Sequence, residues 1–377
     1  MINIAYVIDT IATPRAGTEK QLLMLLKGLG RDRFNPTLVC LRNSEWLEEQ
    51  SLSCDLEILN LGSILRPDFF GAASRFKKLH RERKFDIVQT FFLDANLFGT
   101  IAARMAGIKN VVSSRRNIGY WHTSFYRTML RILRRWTPYY LANSKAVLDV
   151  SLEAEGIAPE NITVIYNGLD LSQFEDIDES IRLKQRHAWG VADNELLVGT
   201  VANLRPVKNI PSLISAATRL TKEHADLKFV VVGEGPDREQ LQQQIDSARL
   251  ADRFRLVGAH NNIVPCLAAL DVGVQCSKSE SFSGSLVEYM AAGLPIVASA
   301  VGGNVEAISH EHTGLLYDVR DPDGLTSSIS ALLSDQEKGL QYGEAARKAA
   351  FIDYSEDACV KAHERYYTDI MEKWSRT

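Results

Sequence analysis

Ser277-Lys-Ser-Glu-Ser-Phe-Ser-Gly-Ser-Leu-Val-Glu-Tyr-Met-Ala-Ala-Gly-Leu-Pro-Ile-Val-Ala-Ser299 sets two carboxylates, Glu280 and Glu288, eight positions apart around a run of small residues. From Ser283 to Ala292 the pattern is helical, Gly293-Leu294-Pro295 ends it, and a short apolar run follows at 296–298. A helix that starts on small residues leaves its first N–H groups unpaired, and with the positive end of the helix dipole they suit a phosphate. The donors predicted here are the backbone groups of Ser283, Gly284, Ser285 and Leu286. Glu288 falls in the following turn, placed to accept hydrogen bonds from ribose hydroxyls. Glu280 precedes the turn, placed to face a sugar beyond the phosphates. A strand, a phosphate-binding turn and a helix in this order predict an α/β fold.

Outward from this stretch the same alternation runs through the chain. Short apolar runs predict strands at 2–8, 36–41, 87–90, 111–114, 140–142 and 163–165, then at 197–201, 229–232, 255–257, 272–275 and 296–298. Amphipathic stretches between them predict helices at 18–29, 95–106, 122–136 and 145–154, then at 210–220, 237–247, 263–270 and 283–292. Strands alternating with helices indicate parallel doubly wound sheets. A length of 377 residues accommodates two domains. Asn167-Gly168 is a turn dipeptide, and the acidic run after it to Ser180 reads as an exposed linker. The domains are therefore placed at 1–170 and 171–354, with a last helix over about 355–377 expected to pack back onto the first.

Composition narrows the class. Apolar residues make up 45% and charged residues 24%, as in ordinary globular proteins. No apolar run approaches the roughly 18 residues of a membrane span, and the N-terminal run 1–9 reads as a buried strand rather than a leader. Cys40, Cys54, Cys266, Cys276 and Cys359 are odd in number and scattered, which argues against disulfides or a zinc site and for a reducing cytoplasm. The net charge of −4 conceals an asymmetry. Residues 1–150 carry 22 Lys and Arg against 13 Asp and Glu, a net +9, whereas the rest carries 21 against 34, a net −13. A basic half predicts an anionic partner such as a phosphorylated acceptor or a membrane surface. No nucleic-acid-binding motif is present.

Further segments carry chemistry. Ala16-Gly17-Thr18-Glu19-Lys20-Gln21 follows the first strand, and Gly17 there allows close approach of backbone to a ligand. Val201-Ala-Asn-Leu-Arg-Pro-Val-Lys-Asn209 follows the first strand of the second half and offers Asn203, Arg205 and Lys208. Val111-Val-Ser-Ser-Arg-Arg-Asn-Ile-Gly-Tyr-Trp-His122 ends a strand on Arg115, Arg116 and Asn117, with His122 beyond, and two guanidiniums there suit an anionic substrate. Val164-Ile-Tyr-Asn-Gly-Leu-Asp170 and Val230-Val-Val-Gly-Glu-Gly-Pro-Asp-Arg238 read as structural turns. Asp176-Ile-Asp178 and Asp321-Pro-Asp323 have the look of a metal site, but the first lies in the linker and the second is a natural helix cap. The stretch 120–140 mixes Trp121, Phe125, Tyr126 and Trp136 with Arg127, Arg131, Arg134 and Arg135, which fits either a core helix with a basic stripe or peripheral contact with an anionic membrane.

In this order these segments resemble the retaining nucleotide-sugar glycosyltransferases of family 4. The resemblance spans essentially the whole chain and rests on the Glu-x7-Glu pair, the glycine loop, the Pro-x-Lys loop and the Gly-x-Gly-Pro turn. It implies a GT-B architecture, two facing Rossmann-like domains with a cleft between them, the first binding acceptor and the second binding donor. It implies transfer of a sugar from a nucleoside diphosphate, UDP being expected, to a hydroxyl of a lipid-linked or cell-surface polysaccharide. Lys208, Glu280 and Arg205 then fall to the catalytic role, with Gly17, Asn203, Ser283, Gly284, Ser285, Leu286 and Glu288 on the donor. Arg115, Arg116, Asn117 and His122 fall to the acceptor. No cofactor or metal is implied, and the site of action would be the cytoplasm or the inner face of the plasma membrane. The family Arg is replaced by Asn203, and a family His by Arg116. These departures keep two alternatives open, a sugar-nucleotide epimerase and a catalytically weakened glycan-binding subunit.

Overall fold

The structure, a computed structural model, describes residues 1–14, 16–118 and 123–375, the side chain of Ser375 excepted. It divides into one unit of residues 1–168 and 356–377 and another of residues 169–355.

The first unit holds seven strands: β1 (Ile2–Ile8), β2 (Phe34–Cys40), β3 (Asp55–Ile58), β4 (Ile87–Phe91), β5 (Asn110–Arg115), β6 (Tyr139–Ala142) and β7 (Ile162–Val164). They pair in parallel in the order β3-β2-β1-β4-β5-β6-β7. The order reverses direction at β1, whose neighbours are β2 and β4, so a crevice opens at the carboxyl ends of β1 and β4. β4 is buried along its whole length, as a strand covered by helices on both faces must be. The helix Gly17–Gly28 covers one face together with the C-terminal helix Glu356–Ser375. Helices Asp68–Arg83 and Leu93–Ala106 cover the other. The return of the C-terminal helix is fixed by polar chemistry inside the core. Tyr367 donates to Gln89 Oε1 at 2.6 Å, and Tyr6 donates to the Tyr367 hydroxyl at 3.1 Å.

The second unit holds six strands: β8 (Leu196–Val201), β9 (Leu227–Val232), β10 (Phe254–Gly258), β11 (Val272–Gln275), β12 (Ile296–Ser299) and β13 (Leu315–Tyr317). Their order is β10-β9-β8-β11-β12-β13, again parallel, with the switch at β8.

Two expectations change here. β3 and β13 were not read as strands. Each is short, and β3 has no buried residue, so the apolar signal is too weak to register. The run after Asn167-Gly168 is not a free linker. Phe174 in it is fully buried, its carbonyl accepts from Arg347, and a helix begins at Glu179 with Asp178 as its cap. In the Asp pairs, Asp178 caps its helix and Asp321 accepts from Asp323 N–H at 2.9 Å, while Asp323 forms an ion pair with Arg219.

Candidate active site

The second sheet gathers most of the predicted residues at its switch point. After β8 the chain turns through Asn203, Leu204 and Arg205 into a short 3-10 turn, Pro206–Lys208. Asn209 takes a left-handed conformation (φ 54°) and the helix Ile210–Glu223 follows. This loop is held by backbone. Leu204 N–H donates to Glu234 O at 3.0 Å and Asp237 N–H donates to Leu204 O at 3.1 Å. Gly235 is required for that approach, since a Cβ there would stand 2.4 Å from Leu204 O. The Gly-Glu-Gly-Pro turn thus shapes the lysine loop.

After β11 the chain runs from Cys276 to Ser283 and enters the helix Gly284–Ala291. Glu280 lies in that run and meets Lys208, Nζ to Oε1 at 2.6 Å, with side chains 20% and 11% exposed. The same carboxylate oxygen accepts from Ser277 Oγ at 2.6 Å and from Gln275 Nε2 at 3.3 Å. The two loops are also tied through Lys278 N–H to Val207 O at 2.8 Å. From the end of β12, Gly302 and Gly303 close over Glu280. Gly303 N–H donates to Glu280 O at 3.2 Å, and a Cβ on Gly302 would fall 1.7 Å from that carbonyl. Such a carboxylate–ammonium pair, half-buried and held at three points, is preorganised to address a charged ligand without rearranging.

The helix N-terminus is partly closed. Ser283 caps it, its Oγ accepting from Leu286 N–H at 3.3 Å while Gln275 donates to the same Oγ. The donor role expected of Leu286 is corrected accordingly: its N–H is taken by the cap and its side chain is fully buried. Gly284 and Ser285 N–H groups have no partner among the described residues. Glu288 is half-buried one turn along the helix. Asn203 and Arg205 are exposed, and their side chains have no hydrogen-bond partner among the described residues.

In the first unit Gly17 opens the helix Gly17–Gly28, and a Cβ there would meet nothing within 4 Å, so the backbone stands clear for a ligand. Arg115 is a correction. It is 6% exposed, its Nε and Nη2 grip Glu155 at 2.7 and 2.6 Å, and its Nη1 donates to Ser113 Oγ at 2.6 Å. With every nitrogen engaged in the fold, it is committed to holding the strand end rather than to an acceptor. Arg116, one residue past the strand, differs: Nη2 donates to Asn167 Oδ1, while the buried Nε has no partner among the described residues. Asn117 is half-buried beside it. His122 lies outside the described residues.

Sequence reading missed Gln275, Ser277, Gly302 and Gly303. The available signal was the Gly-Gly pair directly after a strand, a mark of close backbone approach.

Two family profiles match, Glycosyltransferase Family 4 over residues 15–173 and Glycosyl transferases group 1 over residues 181–349. The chain belongs to glycosyltransferase family 4. Family membership makes it a glycosyltransferase, and its two parallel-sheet domains are those of the GT-B fold. Among relatives, the UDP-Gal:alpha-D-GlcNAc-diphosphoundecaprenol alpha-1,3-galactosyltransferase of Escherichia coli is 26% identical over 85% of this chain and 86% of its own length. The N-acetyl-alpha-D-glucosaminyl L-malate synthase of Bacillus anthracis is 30% identical, but over 56% of this chain and 55% of its own length, about half of each. The crystal structure of Anabaena HepE in complex with UDP superposes with a TM-score of 0.84 and 25% identity, covering 98% of this chain and 100% of that one.

Proposed function

We propose that this family 4 enzyme is a retaining transferase that moves a sugar from UDP to a hydroxyl of a lipid-linked or cell-surface glycan. The Lys208–Glu280 pair at the switch point of the second sheet carries the proposal. Lys208, the Gly284 and Ser285 N–H groups and the exposed Arg205 are the proposed counter-charges for the diphosphate, with Asn203 beside them and Gly17 as a clear backbone approach. Glu288 takes the ribose and Glu280 the hydroxyls of the transferred sugar. The HepE complex supports UDP as the nucleotide. The E. coli relative, whose name gives a UDP-sugar donor and a diphosphoundecaprenol-linked acceptor, supports a lipid-linked glycan.

In the proposed step the bond from the sugar's anomeric carbon to the diphosphate oxygen breaks, and its electron pair leaves with UDP. The acceptor oxygen bonds to the same face of that carbon, and its proton passes to the departing phosphate. Charge grows on the phosphate as the bond breaks, so a fixed ammonium there stabilises the transition state more than the bound donor. Arg116 and Asn117, with His122, are the residues proposed to meet the acceptor.

Among the described residues no helix is long and apolar enough to cross a membrane. A membrane-borne acceptor would be reached by peripheral contact through the helix Ser124–Leu133, which exposes Phe125, Arg127 and Ile132. The test of the whole reading is UDP release from purified protein given a panel of UDP-sugars with a lipid-linked glycan, followed by analysis of product stereochemistry. Absence of UDP release with every donor overturns transfer. An epimerised nucleotide sugar instead of a glycoside gives the epimerase reading.

A further inference from the structure

The ladder between β11 and β12 ends at the pair Gln275–Ala298, so buried polar groups beyond it must find partners by other means. Ser299 provides one, its Oγ donating to Ser277 O at 2.7 Å. Asn304 holds Ser299 in turn, Nδ2 donating to Ser299 O at 3.0 Å and to Ser299 Oγ at 3.3 Å. Gln275, Ser277, Ser299 and Asn304 are all buried, none more than 1% exposed. Asn304 leaves its own buried Oδ1 without a partner among the described residues. An orphaned amide oxygen costs stability, and turning the amide over would only set that oxygen against Ser299 O. Asn304 is thus retained for what its Nδ2 holds.

This chain of bonds ends on Glu280. Ser277 Oγ and Gln275 Nε2 both donate to Glu280 Oε1, the same oxygen that meets Lys208. Oε2 has no hydrogen-bond partner among the described residues. The last torsion of a glutamate is soft, so an unheld carboxylate turns easily. Three donors gathered on one oxygen stop that rotation and leave the other oxygen to a ligand. The loop itself does not need them. Its backbone is already tied by Gly303 N–H to Glu280 O and by Lys278 N–H to Val207 O. The Gln275 amide reaches further and donates to Ser283 Oγ, the cap of the helix Gly284–Ala291. One side chain therefore steadies both Glu280 and the helix start that presents the Gly284 and Ser285 N–H groups.

We propose that Gln275, Ser277 and Asn304 are positioning residues of the transfer reaction, which lock Glu280 with Oε1 turned inward and aim Oε2 at a hydroxyl of the transferred sugar. The aim at a sugar rests on the function proposed above; the lock does not. The three act through Glu280 and through the helix cap, not on the donor directly. A carboxylate held in one pose meets its hydroxyl without reorganising, and a misplacement of about 1 Å can cost on the order of a hundredfold in rate.

The experiment uses the full-length protein with Ser277→Ala, Asn304→Leu and Gln275→Leu. Crystal structures without nucleotide read the lock. Glu280 keeps one pose in the wild type, and in Ser277→Ala and Gln275→Leu it shifts by about 1 Å or divides between rotamers. Kinetics read the aim, with the UDP-sugar that the donor panel turns over. Turnover falls by about tenfold or more in each variant, while calorimetric affinity for UDP, which lacks the sugar, stays within about twofold in Ser277→Ala and Asn304→Leu. Gln275→Leu loses UDP affinity as well, through the freed Ser283 cap. An unmoved Glu280 in both Ser277→Ala and Gln275→Leu, undiminished turnover, or UDP affinity that falls in step with turnover in Ser277→Ala overturns the proposal. Ser277→Ala, which deletes one oxygen atom, decides the matter if a leucine variant does not fold. A wild type that releases UDP from no donor strikes the transferase reading instead, and the nucleotide-free crystal structures still decide the lock.

Discussion

The two sheets of this enzyme each break their strand order once, at β1 and at β8, and each places cations beside the break. At β8 the cation is Lys208, on a loop after the strand, with a single carboxylate partner and a fifth of its side chain exposed. Beside β1 it is Arg115, the last residue of β5, enclosed by Glu155 and by the Tyr140 ring, 5.1 Å from its guanidinium carbon. The sequence presents both as basic residues in the segment that ends a parallel strand. What separates them is the strand's end: Arg115 still lies in β5, whereas Lys208 lies seven residues past Val201, the last residue of β8. A residue still in the strand alternates into one of the packed faces, whereas a residue past the last ladder bond is free to turn toward the crevice. Arg115 is on the first side of that line and Lys208 on the second. A basic residue at a strand end is therefore a candidate for chemistry only once the strand's last ladder pair is known, here Arg115 opposite Ala142.

The largest expected effect tests the structural side of this contrast. Glu155→Ala leaves the Arg115 guanidinium buried without its carboxylate, which costs about 3–5 kcal/mol. Urea unfolding would show it as a lowered midpoint. A loss under about 1 kcal/mol would mean that Arg115 swings out, and its acceptor role would return.

On the chemical side, Lys208→Ala should lower turnover by about 10²–10³ while the folded state loses little, since the pair it leaves is partly solvated. Initial rates at saturating donor, read beside a thermal melt, separate the two. Near-normal turnover would pass the role to Arg205, exposed on the same loop, and the double variant would then decide. Smaller again is Glu288→Ala, which removes hydrogen bonds to a charged acceptor worth roughly 1.5–3 kcal/mol. Calorimetric titration with UDP should register a matching loss of affinity, and unchanged affinity would take Glu288 out of the site.

The contrast also explains what was legible in the sequence. Eleven runs stood out because strands covered on both faces are buried throughout and mostly apolar, as β4 and β11 are. β3 and β13 escaped because each is short and largely half-exposed, with no buried residue in β3 and one in β13. The helix Asp68–Arg83 escaped because its few buried residues, Ala72, Ala73, Phe76 and Leu79, are outnumbered by the basic residues of its second half, which mask the apolar stripe. At the candidate site, Glu280 and Lys208 were readable as residues, but their contact was not, because 72 positions separate them. Gln275 and Ser277 act only through that contact, so nothing local announced them, whereas the Gly302-Gly303 pair was a local signal of close backbone approach. Arg115 misled for the same reason: its partner Glu155 lies 40 positions away.

The smallest expected effect concerns the basic charge of residues 1–150 outside both switch points. The helix Ser124–Leu133 buries Leu130 and Leu133 and exposes Phe125 and Ile132 at 52% and 48%. The arginines of this helix and of the 3-10 turn Arg134–Trp136 after it are not equivalent. Arg131 donates to Ala154 O at 2.7 Å and Arg134 to Gly156 O, both near the end of the helix Lys145–Glu155, so these two fasten one helix to another. Arg135 lies over the Trp136 ring, 4.9 Å from its centroid, and Arg127 makes no ion pair among the described residues. If this helix meets an anionic membrane, Arg127 and Phe125 are the residues that do so. A cation near such a surface contributes about 1 kcal/mol and is screened within a Debye length of roughly 10 Å at 0.1 M salt. Co-sedimentation with phosphatidylserine-containing vesicles should therefore fall several-fold in an Arg127→Gln, Phe125→Ser variant and fall again with added salt, whereas Arg131→Gln should act through thermal stability instead. Equal sedimentation of the wild type with neutral and anionic vesicles would make Arg127 an ordinary surface charge, and the net +9 would then have to be explained by residues such as Arg115 that the fold itself consumes.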